Sequence, residues 1–376
     1  MAKRLCIYSA SALTQMGGIE THIDVVSKAF SQKFEISIVA GKGKQIFERK
    51  NAIKYFSFPY LKRQNFFNKF LSKISPSIFS PYQIECISFW PASFLHFFSH
   101  DYEVIQVHQP IDALFFNFLK NFKKFKLVLT INGFPTSILK NEMKKCDKVI
   151  AISETVKEFM KQNYAIDSVV IFDPVDCAKF KPLPKNNELL KKFNLENSFT
   201  ILCIGRLVSW KGFQFVIKAL PKILKSIPNA RLLIVGKGEF ESELKKIVSE
   251  LKIEKNIVFA GQVSHEMLPQ YYSVCDIFIQ PSIAMESLSL TLVSGQASGK
   301  ACIASDLGAM KEIIVNGKNG FLVLPENENA IAEKVVEIFS SPSLKKQFEE
   351  NARKNALQRF DLSKNIAKFE ELFSLL

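Results

Sequence analysis

Short apolar runs recur along the chain, separated by longer stretches in which apolar positions return every three to four residues, the period of a helix. In the first half the runs are Leu5–Tyr8, Ile36–Ala40, Val104–Val107, Leu127–Ile131, Val149–Ile152 and Val169–Phe172. Continuous apolar runs of this length predict strands buried on both faces, and the helical stretches between them predict parallel βαβ units. From Pro174 to Asn197 the rhythm breaks into Pro, Lys and Asn, including Lys181-Pro182-Leu183-Pro184-Lys185, before a fresh strand opens at Thr200-Ile201-Leu202-Cys203-Ile204. The alternation is then regular, with strands at 200–204, 231–235, 257–260, 277–280 and 301–304 and helices at 213–226, 240–251, 265–273 and 290–298. The pattern predicts an α/β protein of two doubly wound, Rossmann-like domains with parallel sheets, over 1–180 and 199–360, joined by a linker at 181–198. A last helix, 361–376, follows an Asp cap and is a candidate for crossing back to the first domain.

At 376 residues the chain exceeds what one hydrophobic core organises, in keeping with two domains. With 47% hydrophobic and 23% charged residues, disordered and fibrous classes are excluded. Fifty Lys and Arg against 36 Asp and Glu give a formal net charge of +14, which favours partners that carry phosphate. Nucleic acid is not expected among them, because zinc-knuckle spacing, an RNP-type aromatic motif and an arginine-rich arm are all missing. The seven cysteines form no CxxC pair and several lie inside apolar runs, as buried free thiols do in a reducing cytosol. No apolar stretch reaches the roughly 18–20 residues needed to span a bilayer, so a cytoplasmic protein is expected. Peripheral contact with an anionic membrane stays open at 62–74. Phe66, Phe67, Phe70, Leu71 and Ile74 share one helical face there, with Lys62, Arg63, Lys69 and Lys73 elsewhere. That composition suits an interfacial helix and an ordinary core-facing helix alike.

The residues that can carry chemistry cluster where strands end. Gly17 and Gly18 follow the first strand and open a helix, a turn at which backbone N–H groups can approach an anion. His22 lies just beyond; His108 follows the strand Val104–Val107, and Asn132 the strand Leu127–Ile131. The second domain begins its loops with Gly205-Arg206-Leu207-Val208-Ser209-Trp210-Lys211-Gly212. Two cations on a glycine-bounded loop at the carboxyl edge of a sheet suit a diphosphate, although the spacing is not that of a P-loop. Gly236 and Val263 follow the next two strands. Then Pro281-Ser282-Ile283-Ala284-Met285-Glu286 leads through Ser287, Leu288 and Ser289 into a helix at Leu290, placing a carboxylate at its mouth.

In their order these pieces resemble the retaining glycosyltransferases of the GT-B fold, specifically glycosyltransferase family 4. The resemblance also takes in Ala151-Ile152-Ser153-Glu154, Pro174-Val175-Asp176 before Phe180, and Ala297-Ser298-Gly299-Lys300 through Asn319-Gly320-Phe321. It implies a hexosyltransferase-type enzyme that moves a sugar from a nucleotide diphosphate sugar, UDP-linked before GDP-linked, to a saccharide or lipid-linked acceptor, in bacterial lipopolysaccharide, capsule or other envelope glycan synthesis. By the same resemblance Arg206 and Lys211 hold the diphosphate, Gly17, Gly18 and Gly205 let backbone approach it, and Glu286 contacts the donor sugar. Gly236 and Ser287 to Leu290 line the donor and Val263 faces the base; His22 and His108, from their places after strands, are candidates on the acceptor side, with a satisfied structural histidine as the alternative for each. The chain departs from the family at three places: Ser294 replaces the second acid of the Glu-x7-Glu motif, Ser287-Leu288-Ser289 replaces the Gly-Phe-Gly after the first acid, and Asn132 stands where similar enzymes often have His. A serine reaches ribose by a shorter arm and without a charge-assisted bond, so weaker or altered donor binding is expected, and a catalytically silent sugar-nucleotide binder is the alternative. A hydrolase or epimerase on a related fold is a further alternative, for which no cleft set of carboxylates and His can be assembled. No Asp-x-Asp occurs and no metal-ligand spacing is found, so neither cofactor nor metal is expected.

Overall fold

The structure is a computed structural model that describes residues 2–12, 18–31, 33–43, 52–62, 65, 67–70, 80–135 and 139–376. It divides into two compact units, Met1–Pro174 with Asn365–Leu376, and Val175–Lys364.

The first unit is built on seven parallel strands: β1 Arg4–Ser9, β2 Glu35–Gly41, β3 Ile53–Phe58, β4 Val104–Val107, β5 Lys126–Ile131, β6 Lys148–Ala151 and β7 Val169–Val170. Their order is β3-β2-β1-β4-β5-β6-β7, with Leu5 opposite Ile36 on one side and Val104 on the other. The apolar runs of β1, β4 and β5 are buried almost end to end, because helices cover both faces of a parallel sheet. β3 is absent from the pattern reading: it is an edge strand interrupted by Lys54 and Ser57, so no continuous apolar run marks it. The helix Pro81–Ser99 starts with a reciprocal capping box between Ser80 and Gln83.

The closing helix Leu362–Ser374 belongs with this unit from Asn365 onward. Ile366, Phe369 and Phe373 are buried, and the Phe30 ring meets Phe369 and Phe373 edge-on at 5.7 and 5.4 Å. Lys3 Nζ donates to the carbonyls of Phe373 and Ser374 at 3.1 and 2.9 Å, satisfying groups that a helix end leaves bare. Of the segment 62–74, much lies outside the described residues; its stretch 67–70 is helical, with Asn68 buried and donating to the carbonyls of Leu61 and Pro81.

The second unit carries six parallel strands, β8 Phe199–Ile204, β9 Ala230–Val235, β10 Ile257–Gly261, β11 Ile277–Gln280, β12 Ala301–Ser305 and β13 Phe321–Val323, in the order β10-β9-β8-β11-β12-β13. Its core joins Ile201, Leu232, Ile277 and Ile303 of the sheet to Phe213, Ile217 and Leu220 of one helix and Val335 and Ile338 of another. β13, at three residues, is too short for the pattern reading to find.

The break between the units falls earlier than the composition of 181–198 suggests. Val175 N donates to Phe360 O at 2.9 Å, and Leu362 N to Val175 O at 3.0 Å. Arg353 donates to the carbonyls of Phe180, Cys177 and Ala297 at 2.7, 3.0 and 2.6 Å. Residues 187–192 form a helix capped by Asn186, so the expected linker is a folded part of the second unit. Pro and Lys lie there because the stretch is exposed, and Asn186 ties it down, its N donating to Ser273 Oγ at 3.3 Å and its Nδ2 to Gln270 Oε1 at 3.0 Å.

Truncating Phe369 to Ala removes a fully buried ring between two other rings and should lower the stability of the first unit by about 3–5 kcal/mol in denaturant unfolding.

Candidate functional site

In the second unit, strand order reverses between β8 and β11, which pair through Ile201 with Ile277 and Leu202 with Phe278. At such a point the following loops diverge to opposite sides and leave a crevice at the carboxyl edge of the sheet. The loop after β8 carries Arg206 and Lys211, and the loop after β11 carries Glu286.

These two loops are fastened to each other. Gly212 has φ +73°, and a Cβ there would lie 1.9 Å from the carbonyl oxygen of Pro281, so only glycine lets the loops close up. Ile283 N donates to Trp210 O at 2.8 Å, and Ala309 N, from the loop after β12, donates to Glu286 O at 3.1 Å. Gly236 makes the equivalent close approach after β9: a Cβ there would sit 1.8 Å from Gly205 O.

Glu286 is buried, and both oxygens of its carboxylate are bonded to this frame. Oε1 accepts from Gln280 Nε2 at 3.0 Å and from the hydroxyl of Ser282; Oε2 accepts from Lys211 Nζ at 2.8 Å. Thr291 Oγ1 donates to Gln280 Oε1 at 2.8 Å, which orients that amide so that its NH2 faces the carboxylate. Lys211 is itself nearly enclosed, with its ammonium 4.7 Å from the centre of the Trp210 ring, while Arg206 is exposed and lies over the same ring at 5.9 Å. An ammonium has three N–H donors, so the bond to Glu286 leaves capacity for an incoming anion. Ser289 precedes the helix Leu290–Ala297 without bonding its first N–H groups, which leaves the positive end of that helix beside the carboxylate loop. Ser294 is buried on the same helix, and Val263 is half-buried in the loop after β10, further along the same sheet edge.

The corresponding edge of the first unit is lined by different chemistry. Gly17 lies outside the described residues; Gly18 opens the helix Gly18–Phe30 and is exposed. Ser11 Oγ donates to Glu20 Oε1 at 2.5 Å, and both residues are buried. His22 Nδ1 lies 2.7 Å from Asp173 Oδ1, and its ring meets His108 edge-on at 5.2 Å. His108 Nδ1 and Asn132 Oδ1 are 3.0 Å apart. Burial, reinforced by neighbouring His22 and partly offset by the Asn132 bond, pushes the His108 pKa down to about 3, so the ring is neutral at physiological pH. A neutral ring facing a carbonyl oxygen carries its one proton on Nδ1. His22 and His108, candidates for the acceptor side, are therefore buried rings held by Asp173 and Asn132, and neither offers an exposed face.

Two family models cover the chain in succession, Glycosyltransferase Family 4 over residues 16–179 and Glycosyl transferases group 1 over 185–355. The chain belongs to the family 4 glycosyltransferases. An uncharacterized glycosyltransferase of Methanocaldococcus jannaschii is 28% identical over 99% of this chain and 98% of its own. The GDP-mannose-dependent alpha-(1-6)-phosphatidylinositol monomannoside mannosyltransferase of Mycobacterium tuberculosis is 29% identical over 44% of each chain. Among solved structures, Anabaena HepE in complex with UDP and glucose shares the fold with a TM-score of 0.79 at 19% identity, covering 100% of both chains. The enzyme thus has the GT-B architecture.

In this glycosyltransferase the reading of motifs located Arg206, Lys211 and Glu286 but missed the groups that hold them. Gln280 and Ser282 flank Pro281 at the end of β11, and the Trp210 ring centre lies 5.9 Å from Arg206 and 4.7 Å from Lys211. The available signal was a polar residue closing an otherwise apolar strand, as Gln280 does after Ile277-Phe278-Ile279. Asp173 carried no such signal, since its partner His22 is far away in sequence.

Gly212→Ala should destabilise the second unit by roughly 1–3 kcal/mol through strain and displacement of the Pro281 loop, and should weaken nucleotide binding in calorimetry. His108 supplies a pH dependence. Its folded pKa of about 3 lies below the ordinary 6.5, so between those values the unfolded chain binds the extra proton and stability falls as pH falls. In His108→Gln the loss of first-unit stability between pH 7 and pH 4 should shrink by about 2–3 kcal/mol. Asp112, buried against Trp90 Nε1 with its pKa raised to about 7, contributes with the opposite sign, losing stability as pH rises, and is common to both proteins.

Proposed function

We propose that this glycosyltransferase moves a sugar from a nucleotide diphosphate sugar, UDP-linked before GDP-linked, to a saccharide or lipid-linked acceptor, with retention at the anomeric carbon and without a metal ion. The observation that carries the reading is the pair of cations, Arg206 and Lys211, which lie 5.9 and 4.7 Å from the centre of the Trp210 ring, with Lys211 bonded to Glu286 on the loop that leads into the helix Leu290–Ala297. As the glycosidic bond breaks, negative charge grows on the departing diphosphate. Two cations and a helix end aimed at it stabilise that charge more than they stabilise the bound donor. Lys211 is preorganised for this by its bond to Glu286.

Glu286 serves the sugar. A carboxylate has about four acceptor positions, and three are taken by Gln280, Ser282 and Lys211, which leaves one on Oε2 for a sugar hydroxyl. Asn132 offers a hydrogen bond that does not titrate, and Ser294 a short contact to ribose. Val263 faces the base, and backbone at Gly205 and Gly236 together with Ser287 to Leu290 completes the donor contacts of the second unit. The acceptor hydroxyl enters on the face that the diphosphate leaves. The Phe- and Lys-rich region from Phe56 to Lys126 suits a lipid-linked acceptor at the inner face of an anionic plasma membrane, which favours envelope glycan synthesis, lipopolysaccharide or capsule, by a cytoplasmic, peripheral enzyme. Both bases have support among the relatives, since one is GDP-mannose-dependent and the Anabaena protein holds UDP.

Calorimetric titration of UDP, GDP, ADP and their sugar conjugates should give tight binding of one nucleotide, unchanged by EDTA. Arg206→Ala should weaken it by about ten- to a hundredfold, the loss of a charge-assisted hydrogen bond of roughly 1.5–3 kcal/mol. Binding that EDTA abolishes would overturn the metal-independent reading, and equal affinity in Arg206→Ala would remove Arg206 from the donor site.

A further inference from the structure

The helices Pro81–Ser99 and Pro110–Leu119 pack on the first sheet with one face and leave the other uncovered. Their inner faces bury Ile84, Phe89, Phe97, Phe115, Phe116 and Leu119. Their outer faces expose Leu95 (76%), Phe98 (41%), Leu114 (41%) and Phe118 (52%), and the turn that follows exposes Phe122 (58%). Single exposed apolar side chains are ordinary, but these are joined. Phe94 meets Phe98 at 4.9 Å, Phe98 meets Phe122 at 6.1 Å and Phe122 meets Phe118 at 5.3 Å, while Leu114 stands one helical turn before Phe118. From Cys86 to His100 the sequence holds no Asp, Glu, Lys or Arg, and the one charged type in Pro110–Leu119, Asp112, is buried. Lys120, Lys123, Lys124 and Lys126 then follow within seven residues. Lys120 and Lys126 are paired with Asp147 and Lys123 with Asp101, while Lys124 and Lys126 are exposed.

We infer that this helix pair is the surface by which the enzyme lies on an anionic phospholipid bilayer, with the aromatic ridge among the acyl chains and the lysines at the headgroups. A contiguous apolar patch rimmed by cations is what such an interface requires, and no helix among the described residues is long and apolar enough to cross instead. A second copy of the chain fits less well, since it would bring another +14 of charge against the lysine rim, whereas anionic headgroups neutralise it. The inference deepens the peripheral location proposed above and rests on it for the choice of membrane. Beside the segment 62–74, it names two helices that the core already holds in place.

The test is co-sedimentation with phosphatidylglycerol/phosphatidylcholine vesicles against phosphatidylcholine alone, with UDP or GDP titration on the same samples. Wild type should bind the anionic vesicles, less so at high salt. Phe98→Ser/Phe118→Ser/Phe122→Ser should weaken binding by at least about tenfold with circular dichroism and nucleotide affinity unchanged, because all three side chains are exposed. Lys124→Ala should cost about fivefold. Wild type that ignores anionic vesicles, a triple variant that binds them equally, or a wild-type dimer that the triple variant abolishes would each overturn the assignment. Nucleotide affinity reads the donor site separately, so loss of one reading leaves the other standing.

Discussion

A buried carboxylate must be given donors or it will not stay buried, and Glu286 obtains three of them from three separate places in the chain. Gln280 comes from the end of β11, Ser282 from the turn that follows, and Lys211 from the loop after β8. Satisfying this one group therefore fixes the separation of two loops, the rotamer of a lysine and, through Thr291, the start of a helix. The strand order makes the arrangement possible: β8 and β11 are neighbours although 72 residues lie between Ile204 and Ile277. Gly212 makes it tight, by permitting a backbone contact that any side chain would block.

The first unit sets imidazoles, in place of a lysine, among its buried polar groups. His22 is set against Asp173, His108 against Asn132, and the two rings touch edge-on. Burial keeps His108 neutral, which settles its tautomer through the carbonyl it faces. The C-terminal helix closes over this region through Phe369, whose ring lies 5.8 Å from that of His22. Packing and polar organisation in this unit are thus one network, and the last dozen residues of the chain are part of it.

Much of the fold was legible in the sequence, because a strand buried on both faces must be apolar throughout and a parallel connection must contain a helix. Ile201, Leu232, Ile277 and Ile303 announce themselves in that way. Elements that escape the rule were missed. β3 lies at an edge and is interrupted by Lys54 and Ser57, β13 is too short, and the stretch 181–198 has the composition of a linker yet is tied down through Asn186. The candidate site was legible in part, as charged residues at strand ends: Arg206, Lys211 and Glu286. Its supports were not, because Gln280, Ser282 and Asp173 are ordinary polar residues until their partners are known.

By itself the sequence determined the α/β class, two parallel sheets, and the identity of the chemically capable residues, since these follow from local periodicity and from residue type. Tertiary structure alone decided that Lys211 meets Glu286, that His22 meets Asp173, that 175–198 belongs to the second unit and 365–376 to the first, and that the aromatic residues of two helices face outward. The physical reason is range. Periodicity and propensity act over a few residues, whereas burial and hydrogen-bond satisfaction are settled between residues that only the completed sheets bring together.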